Sequence, residues 1–408
     1  MVAAILANWA MVLAMERSAN HRRAWMVAAI GLDVALLGVF KYASFVSRNV
    51  AALTGGDALV VDIALPLGIS FFTFQLMSYV FDVYGGKAPA QSRPARLMLY
   101  ISLFPQLVAG PIVRYEQIEG EISGRRESAE LFARGCERFV YGLGKKLLLA
   151  NYVAQVADNA FDYMGQASVL YAWLGAVAYA LQIYFDFSGY SDMAIGLGQM
   201  FGFHFPENFD YPYMAATVTD FWRRWHMTLS RWFRDYVYIP LGGNRVPKPR
   251  WLLNMLAVWL LTGIWHGANW TFVLWGLAYW AALCAERLLG LERRPSALTR
   301  AWTLVVVLLA WVLFRSPDVA SAMRYVAAML GVGAAGICGQ DFLSALGGTY
   351  VVLAAALVGC TPLVRDLLAR LREGGHAWVE QLWLVAVLAL CLLQAVGSTY
   401  NPFIYFNF

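Results

Sequence analysis

From Trp251 to Cys284 the chain reads WLLNMLAVWLLTGIWHGANWTFVLWGLAYWAALC, and between Arg250 and Glu286 it has no Asp, Glu, Lys or Arg. Such a stretch belongs in a bilayer, where about 20 predominantly apolar residues make one helical crossing. It is too long for one upright crossing, and the Thr262-Gly263 and Gly267-Ala268 steps predict a bend or a helical hairpin near His266. Polar side chains are costly in hydrocarbon and usually face a bundle interior or a water-filled cavity. His266 is therefore a candidate site residue from its surroundings alone. The other histidine in comparable surroundings is His226, in DFWRRWHMTLSRWFRDYVYIPLGG.

The whole chain has the same character. It is 60% hydrophobic and only 14% charged, with 16 Trp, 21 Tyr and 24 Phe, the aromatic excess expected at membrane interfaces. The expected fold class is all-α, a polytopic protein with one membrane-embedded domain over 1–408. At roughly 20 residues per crossing the length has room for about ten to twelve segments. The best spans are 2–15, 24–46, 60–82, 169–185, 252–284, 301–314, 349–364 and 378–396. The first reads as a retained segment, with no basic residue between Met1 and its core and no cleavage site of small residues. Two prolines and a glycine interrupt LYISLFPQLVAGPIV (99–113), which predicts a broken or re-entrant segment, tolerable where protein covers the freed backbone groups.

Charge sets an orientation and excludes partners. Arg17, Arg22 and Arg23 follow the first span, and Lys87, Arg93 and Arg96 follow the third. Arg114, Arg125, Arg126, Arg134, Arg138, Lys145 and Lys146 follow the proline-broken segment, whereas the loop after the second span holds only Arg48 and Asp57. The positive-inside rule then puts the amino terminus outside and the basic loops in the cytoplasm. The net charge of +5 is modest and its basic residues lie between apolar runs, which argues against nucleic acid as a partner. The five cysteines are scattered singly with no zinc spacing, so no metal site is expected.

Projected as one helix, the segment from Asp220 to Tyr236 places Trp222, Trp225, His226, Leu229, Trp232, Phe233 and Tyr236 on one side. Arg223, Arg224, Arg231 and Arg234 fall on the other. Such a helix can lie in the cytoplasmic interface, its arginines meeting anionic lipid or the phosphates of an acyl donor. In LQIYFDFSGYSDMAIG (181–196) the carboxylates Asp186 and Asp192 need partners; they pair with Arg or Lys, cap a helix break at Gly189, or line a proton or substrate path. PENFDYPYMA (206–215) reads as an ordered structural loop leading into the His226 helix.

Together FWRRWHMTLSRWFRDYVYIPLGGNR, WHGANWTFVLWG, QIYFDFSGYSDMAIGLGQMFGFHFPENFDYPY, FPQLVAGPIVRYEQ and the terminal YNPFIYFNF resemble the bacterial membrane-bound O-acyltransferases, and within them the group acting on alginate, cellulose or peptidoglycan. The resemblance runs from about residue 24 to the end; members of that group usually begin with additional membrane sequence. It implies a bundle with broken, re-entrant and interfacial helices around a central cavity, in the bacterial inner membrane. It also implies that His266 matches the catalytic histidine and His226 the second motif histidine. The candidate substrate contacts, not supplied by the resemblance, are Arg223, Arg224, Arg231, Arg234, Asp186, Asp192, Trp265 and Asn269. No bound cofactor is implied. The implied donor is acetyl-CoA, and the implied partners are the lipid bilayer, a periplasmic acetyltransferase and an exported polysaccharide.

The chemistry agrees. An imidazole kept neutral by a low-dielectric surround can take the proton of an incoming hydroxyl, and no nucleophilic-serine motif such as GxSxG is present. Two other readings remain at this point. One is D-alanyl transfer to teichoic acid from a carrier protein; the other is an ion-coupled secondary transporter, which would also bury Asp186, Asp192 and His266.

Overall fold

The computed structural model describes residues 1–58, 65–162 and 167–397. Among these the regular structure is helical, with no strand. The terminal YNPFIYFNF and the start of the expected 60–82 span lie outside the described residues. The chain divides into two compact units. One comprises Met1–Gly135, Ala194–Pro206 and Arg231–Leu241, the other Cys136–Met193, Glu207–Ser230 and Gly242–Phe408.

The first unit contains α1 (Val2–Arg17), α2 (Arg22–Leu37), α3 (Ala43–Thr54), α4 (Ile69–Tyr84), α5 (Pro94–Ser102), α6 (Phe104–Leu107) and α7 (Tyr115–Gly124). A π-helical turn at Gly38–Tyr42 carries α2 into α3. Helix α4 is apolar nearly all round, and a helix of that kind must be enclosed on every side; each residue from Ile69 to Val80 is buried. The 99–113 segment is broken as expected. Pro94 begins α5 and Pro105 stands in the first turn of α6, where their missing N–H costs nothing. Side chains meet the backbone groups that the breaks release: the Tyr100 hydroxyl donates to Val113 O (2.7 Å) and Gln106 Nε2 to Tyr100 O (2.5 Å).

The second unit takes the end of α8 (Ala129–Gly144), α9 (Asn151–Asp162), most of α10 (Val169–Met200), α11 (Val218–Arg224) and the start of α12 (Met227–Phe233). It continues with α13 (Lys248–His266), α14 (Trp270–Leu288), α15 (Ala297–Arg315), α16 (Val319–Met329), α17 (Gln340–Gly359), α18 (Leu363–Glu373) and α19 (Ala377–Gly397). Its core is aromatic, built on Tyr184, Phe221, Trp222, Trp225, Trp259, Trp275, Tyr279 and Trp311. Helix α10 runs straight past Gly189, so the carboxylates mark no break there. They are paired instead: Lys145 and Lys146, adjacent in a π-helical turn at Lys145–Ala150, reach Asp192 and Asp186 at 2.6 Å each, and Arg138 also holds Asp192.

Five helical stretches among the described residues are long and apolar enough to cross a membrane: Ala19–Thr54, Val169–Met200, Ala297–Arg315, Gln340–Gly359 and Ala377–Gly397. The expected spans 24–46, 169–185, 301–314 and 378–396 fall inside four of these. The expected 349–364 span begins earlier, at Gln340, and ends at Gly359, because Pro362 bars the helix from continuing. Helices α1 and α4 have 16 residues each, short of the roughly 20 of an upright crossing. The 252–284 run is a helical hairpin, with its turn immediately after His266.

Candidate active site

Close backbone approach makes the hairpin. A Cβ on Gly263 would stand 2.3 Å from Phe272 O and one on Gly276 2.4 Å from Trp259 O, so only glycine lets α13 and α14 lie this near each other. Asn269 caps α14: its side-chain oxygen accepts from Thr271 N (3.1 Å), while its amide donates to Pro317 O (2.7 Å). This candidate substrate contact is thus committed at one end to the start of α14 and at the other to the segment that follows α15. His266, the last residue of α13, is half-buried at the hairpin tip and does not lie mid-span. Its ring lies among Trp265, Trp275 and Phe314, with centroids at 4.9, 5.1 and 5.0 Å.

The segment from Asp220 to Tyr236 is not one helix. It breaks at Trp225–His226, where His226 takes φ +42°, left-handed backbone that costs a side-chain-bearing residue about 1–2 kcal/mol. The loop read as merely structural holds the break open by taking over the groups a continuous helix would pair. Asp210 N donates to Arg224 O (2.9 Å) and Met227 N to Asn208 O (2.9 Å). The expected two-sidedness survives the break: Trp222, Trp225, His226, Leu229, Trp232 and Phe233 are buried, while Arg223 and Arg234 are exposed.

Helix α11 is anchored from the last turn of α14. The buried Glu286 carboxylate accepts from Val218 N (2.8 Å), Thr219 N (2.8 Å) and the Thr219 hydroxyl (2.5 Å), and Thr217 Oγ1 accepts from Asp220 N (3.0 Å). The first three amides of the helix are thereby satisfied, and a carboxylate sits at the positive end of its dipole.

His226 is 1% exposed. Its Nδ1 lies 3.0 Å from Asn208 Oδ1, the same oxygen that accepts from Thr228 N (3.2 Å) and the Thr228 hydroxyl (2.8 Å); Asn208 Nδ2 donates to Ser191 Oγ (3.0 Å). Nε2 has no hydrogen-bond partner among the described residues. Burial pushes the imidazole pKa down to about 3, so the ring is neutral at physiological pH. Trp265 joins the two histidines: its ring lies 6.1 Å from that of His226 and 4.9 Å from that of His266. Three buried donors near these rings, Trp222 Nε1, Trp275 Nε1 and the Tyr279 hydroxyl, also have no partner among the described residues. Buried polar groups are normally satisfied, which makes these three donors candidates for ligand contacts.

The remaining candidates sort by partner. Arg224 pairs with Asp220 at 2.9 Å and Arg234 with Asp235 at 2.7 Å, whereas Arg223 and Arg231 have no carboxylate partner among the described residues. Asn208 and Glu286 were not singled out from sequence. A lone amide in a Phe- and Pro-rich loop, and a carboxylate directly ending a charge-free run, were the available signals.

The sequence profile described as "MBOAT, membrane-bound O-acyltransferase family" matches residues 91–316. The chain is 38% identical over 409 residues to the "Probable alginate O-acetylase" of Pseudomonas putida, covering 94% of this chain and 84% of that one. The protein of the same description from Azotobacter vinelandii is 42% identical over 316 residues, covering 76% of this chain and 63% of its own. The "Peptidoglycan O-acetyltransferase" of Helicobacter pylori is 33% identical over 459 residues, covering all of this chain and 87% of its own. The chain is an acyltransferase of the membrane-bound O-acyltransferase family.

Proposed function

We propose that this protein passes acetyl groups from acetyl-CoA in the cytoplasm across the bacterial inner membrane for O-acetylation of an exported polysaccharide such as alginate, through a periplasmic acetyltransferase partner. The observation that carries the reading is the convergence of His226 and His266 on Trp265 inside an aromatic region with unsatisfied donors. The relatives described as O-acetylating alginate or peptidoglycan support the acetyl group and the polymer class.

In this reading His266 accepts the proton of an incoming hydroxyl. The hydroxyl oxygen attacks the thioester carbonyl, the new C–O bond forms, the C–S bond breaks, and the departing thiolate takes the proton back from the imidazolium. General-base assistance of this kind is worth about 10² to 10⁴ in rate, and positioning adds to it. His226 orients a ligand, and Trp265 separates the two rings. Arg223 and Arg231, which have no carboxylate partner among the described residues, are the candidates for the donor phosphates. Asp186 and Asp192, already paired with cations, hold α10 in place.

The test is incubation of the purified protein with labelled acetyl-CoA, following label into a co-purified partner. We expect transfer by the wild type and none by His266→Ala at matched protein amounts. Undiminished transfer in His266→Ala would sink the assignment, and transfer of D-alanine but not acetyl would replace the donor.

A further inference from the structure

We propose that Asn208 is a positioning residue for His226. It locks the imidazole as the Nδ1–H tautomer and so holds Nε2 as a bare hydrogen-bond acceptor for an N–H or O–H of the bound ligand other than the reacting hydroxyl. The identity of that ligand rests on the acyl-transfer reading above; the tautomer does not.

The lock follows from which atoms can donate. A backbone N–H only donates, and Thr228 N points at the Asn208 side-chain atom that also faces His226, at 3.2 Å, so that atom is the amide oxygen. The Thr228 hydroxyl, 2.8 Å away, turns its hydrogen to the same oxygen. On the other branch Asn208 Nδ2 donates to Ser191 Oγ at 3.0 Å, which fixes the amide from its far side. Oδ1 therefore has only lone pairs to offer His226 Nδ1, and a contact of 3.0 Å between them requires the proton to be on Nδ1. In a neutral imidazole the other nitrogen is then unprotonated, and Nε2 is left with a lone pair in a site where His226 is 1% exposed.

This settles what His226 can and cannot do. Nε2 and a thioester carbonyl oxygen are both acceptors, so His226 in this tautomer cannot polarise the donor's carbonyl. An N–H or a second O–H of the bound ligand has a hydrogen to give, and Nε2 can hold it while the reacting hydroxyl keeps its own hydrogen for His266. The left-handed backbone at His226 and the two bonds from the 206–215 loop to the broken helix keep Nδ1 turned to Asn208. Asn208 acts through His226 and touches no reacting atom.

The experiment uses the full-length protein in lipid nanodiscs, labelled with ¹⁵N-histidine, with the His226 ring signals assigned by their loss in His226→Gln. Nitrogen NMR separates protonated from bare ring nitrogens. We expect a protonated Nδ1 and a bare Nε2 in the wild type, and mixed or inverted tautomers in Asn208→Leu and in the smaller Asn208→Ala. In acetyl transfer from labelled acetyl-CoA, kcat is expected to fall at least tenfold in both variants while KM for the donor changes less than threefold. A wild-type ring protonated at Nε2 overturns the proposal, as does Asn208→Leu with unchanged tautomer and kcat. If neither variant folds, the wild-type spectrum alone decides the tautomer. Absence of acetyl transfer by a wild-type protein that shows the Nδ1–H signal refutes the donor reading and supports the lock.

Discussion

Glu286 is the side chain whose loss should most clearly separate a positioned site from a merely packed one. Its carboxylate, 1% exposed, accepts from two backbone amides and one hydroxyl at the start of α11. Hydrogen bonds to charged groups contribute about 1.5–3 kcal/mol each, and leaving a buried donor unsatisfied costs about 1–3 kcal/mol. Glu286→Gln keeps one acceptor oxygen but turns an NH2 towards at least one of the donors, so roughly 1–3 kcal/mol should be lost. Glu286→Ala strips all three donors, and roughly 3–6 kcal/mol is expected, with incomplete additivity. Thr217→Ala, which removes the cap on the Asp220 amide alone, should cost about 1 kcal/mol. Thermal unfolding in lipid nanodiscs, followed by tryptophan fluorescence, should rank the midpoints wild type, Thr217→Ala, Glu286→Gln, Glu286→Ala, with the last pair lower by several degrees. Because α11 leads directly into the His226 break, acetyl transfer measured well below those midpoints should fall in the same order. A Glu286→Ala protein that melts within a degree of wild type would show that the α11 amides have other partners and that the clamp is incidental.

Other outcomes follow from particular contacts. Gly263→Ala must push the hairpin apart, since the new methyl meets a backbone oxygen; it should cost about 1–3 kcal/mol, whereas Gly120→Ala in α7, with open space around it, should be neutral or stabilising by up to about 1 kcal/mol. Matched melting curves check both. Tyr279→Phe removes a buried hydroxyl that has no partner among the described residues, so the midpoint should hold or rise while acetyl transfer drops; a fall of several degrees would reveal an internal partner for that hydroxyl. In single-cysteine variants, residues placed at Arg126 and Lys248 should label from the cytoplasm only. Helix α17 is long and apolar enough for one crossing, so native Cys338 at its start should label from the face opposite a cysteine placed at Ala369 in the arginine-bearing α18. Labelling of Cys338 and position 369 from the same face would mean that α17 does not cross.

Much of this protein is readable from residue types taken one segment at a time. Membrane residence, the helical class and the hairpin at 252–284 depend on apolar run length and on glycine at given positions, which are properties of local sequence. The broken 99–113 segment likewise follows from proline, which removes a backbone donor wherever it stands. The two histidines stood out because imidazoles are scarce in such surroundings, and the family resemblance rested on residues that are themselves contiguous motifs.

What local sequence could not decide is where competing partners would be found. Helical periodicity made 220–236 one continuous helix, and it failed at His226 because a loop from 206–215 supplies backbone partners that no projection of the segment contains. The same periodicity could not say that α10 would continue past Asp186 and Asp192, since their neutralisation comes from Lys145, Lys146 and Arg138 on another stretch of chain. Asn208 and Glu286 look like a loop amide and a run-ending carboxylate until folding sets them against the His226 ring and the α11 amides. A side chain's intrinsic chemistry is written in its residue type, but its tautomer, its charge state and the direction it faces depend on atoms distant in sequence, and those are brought together only by tertiary structure.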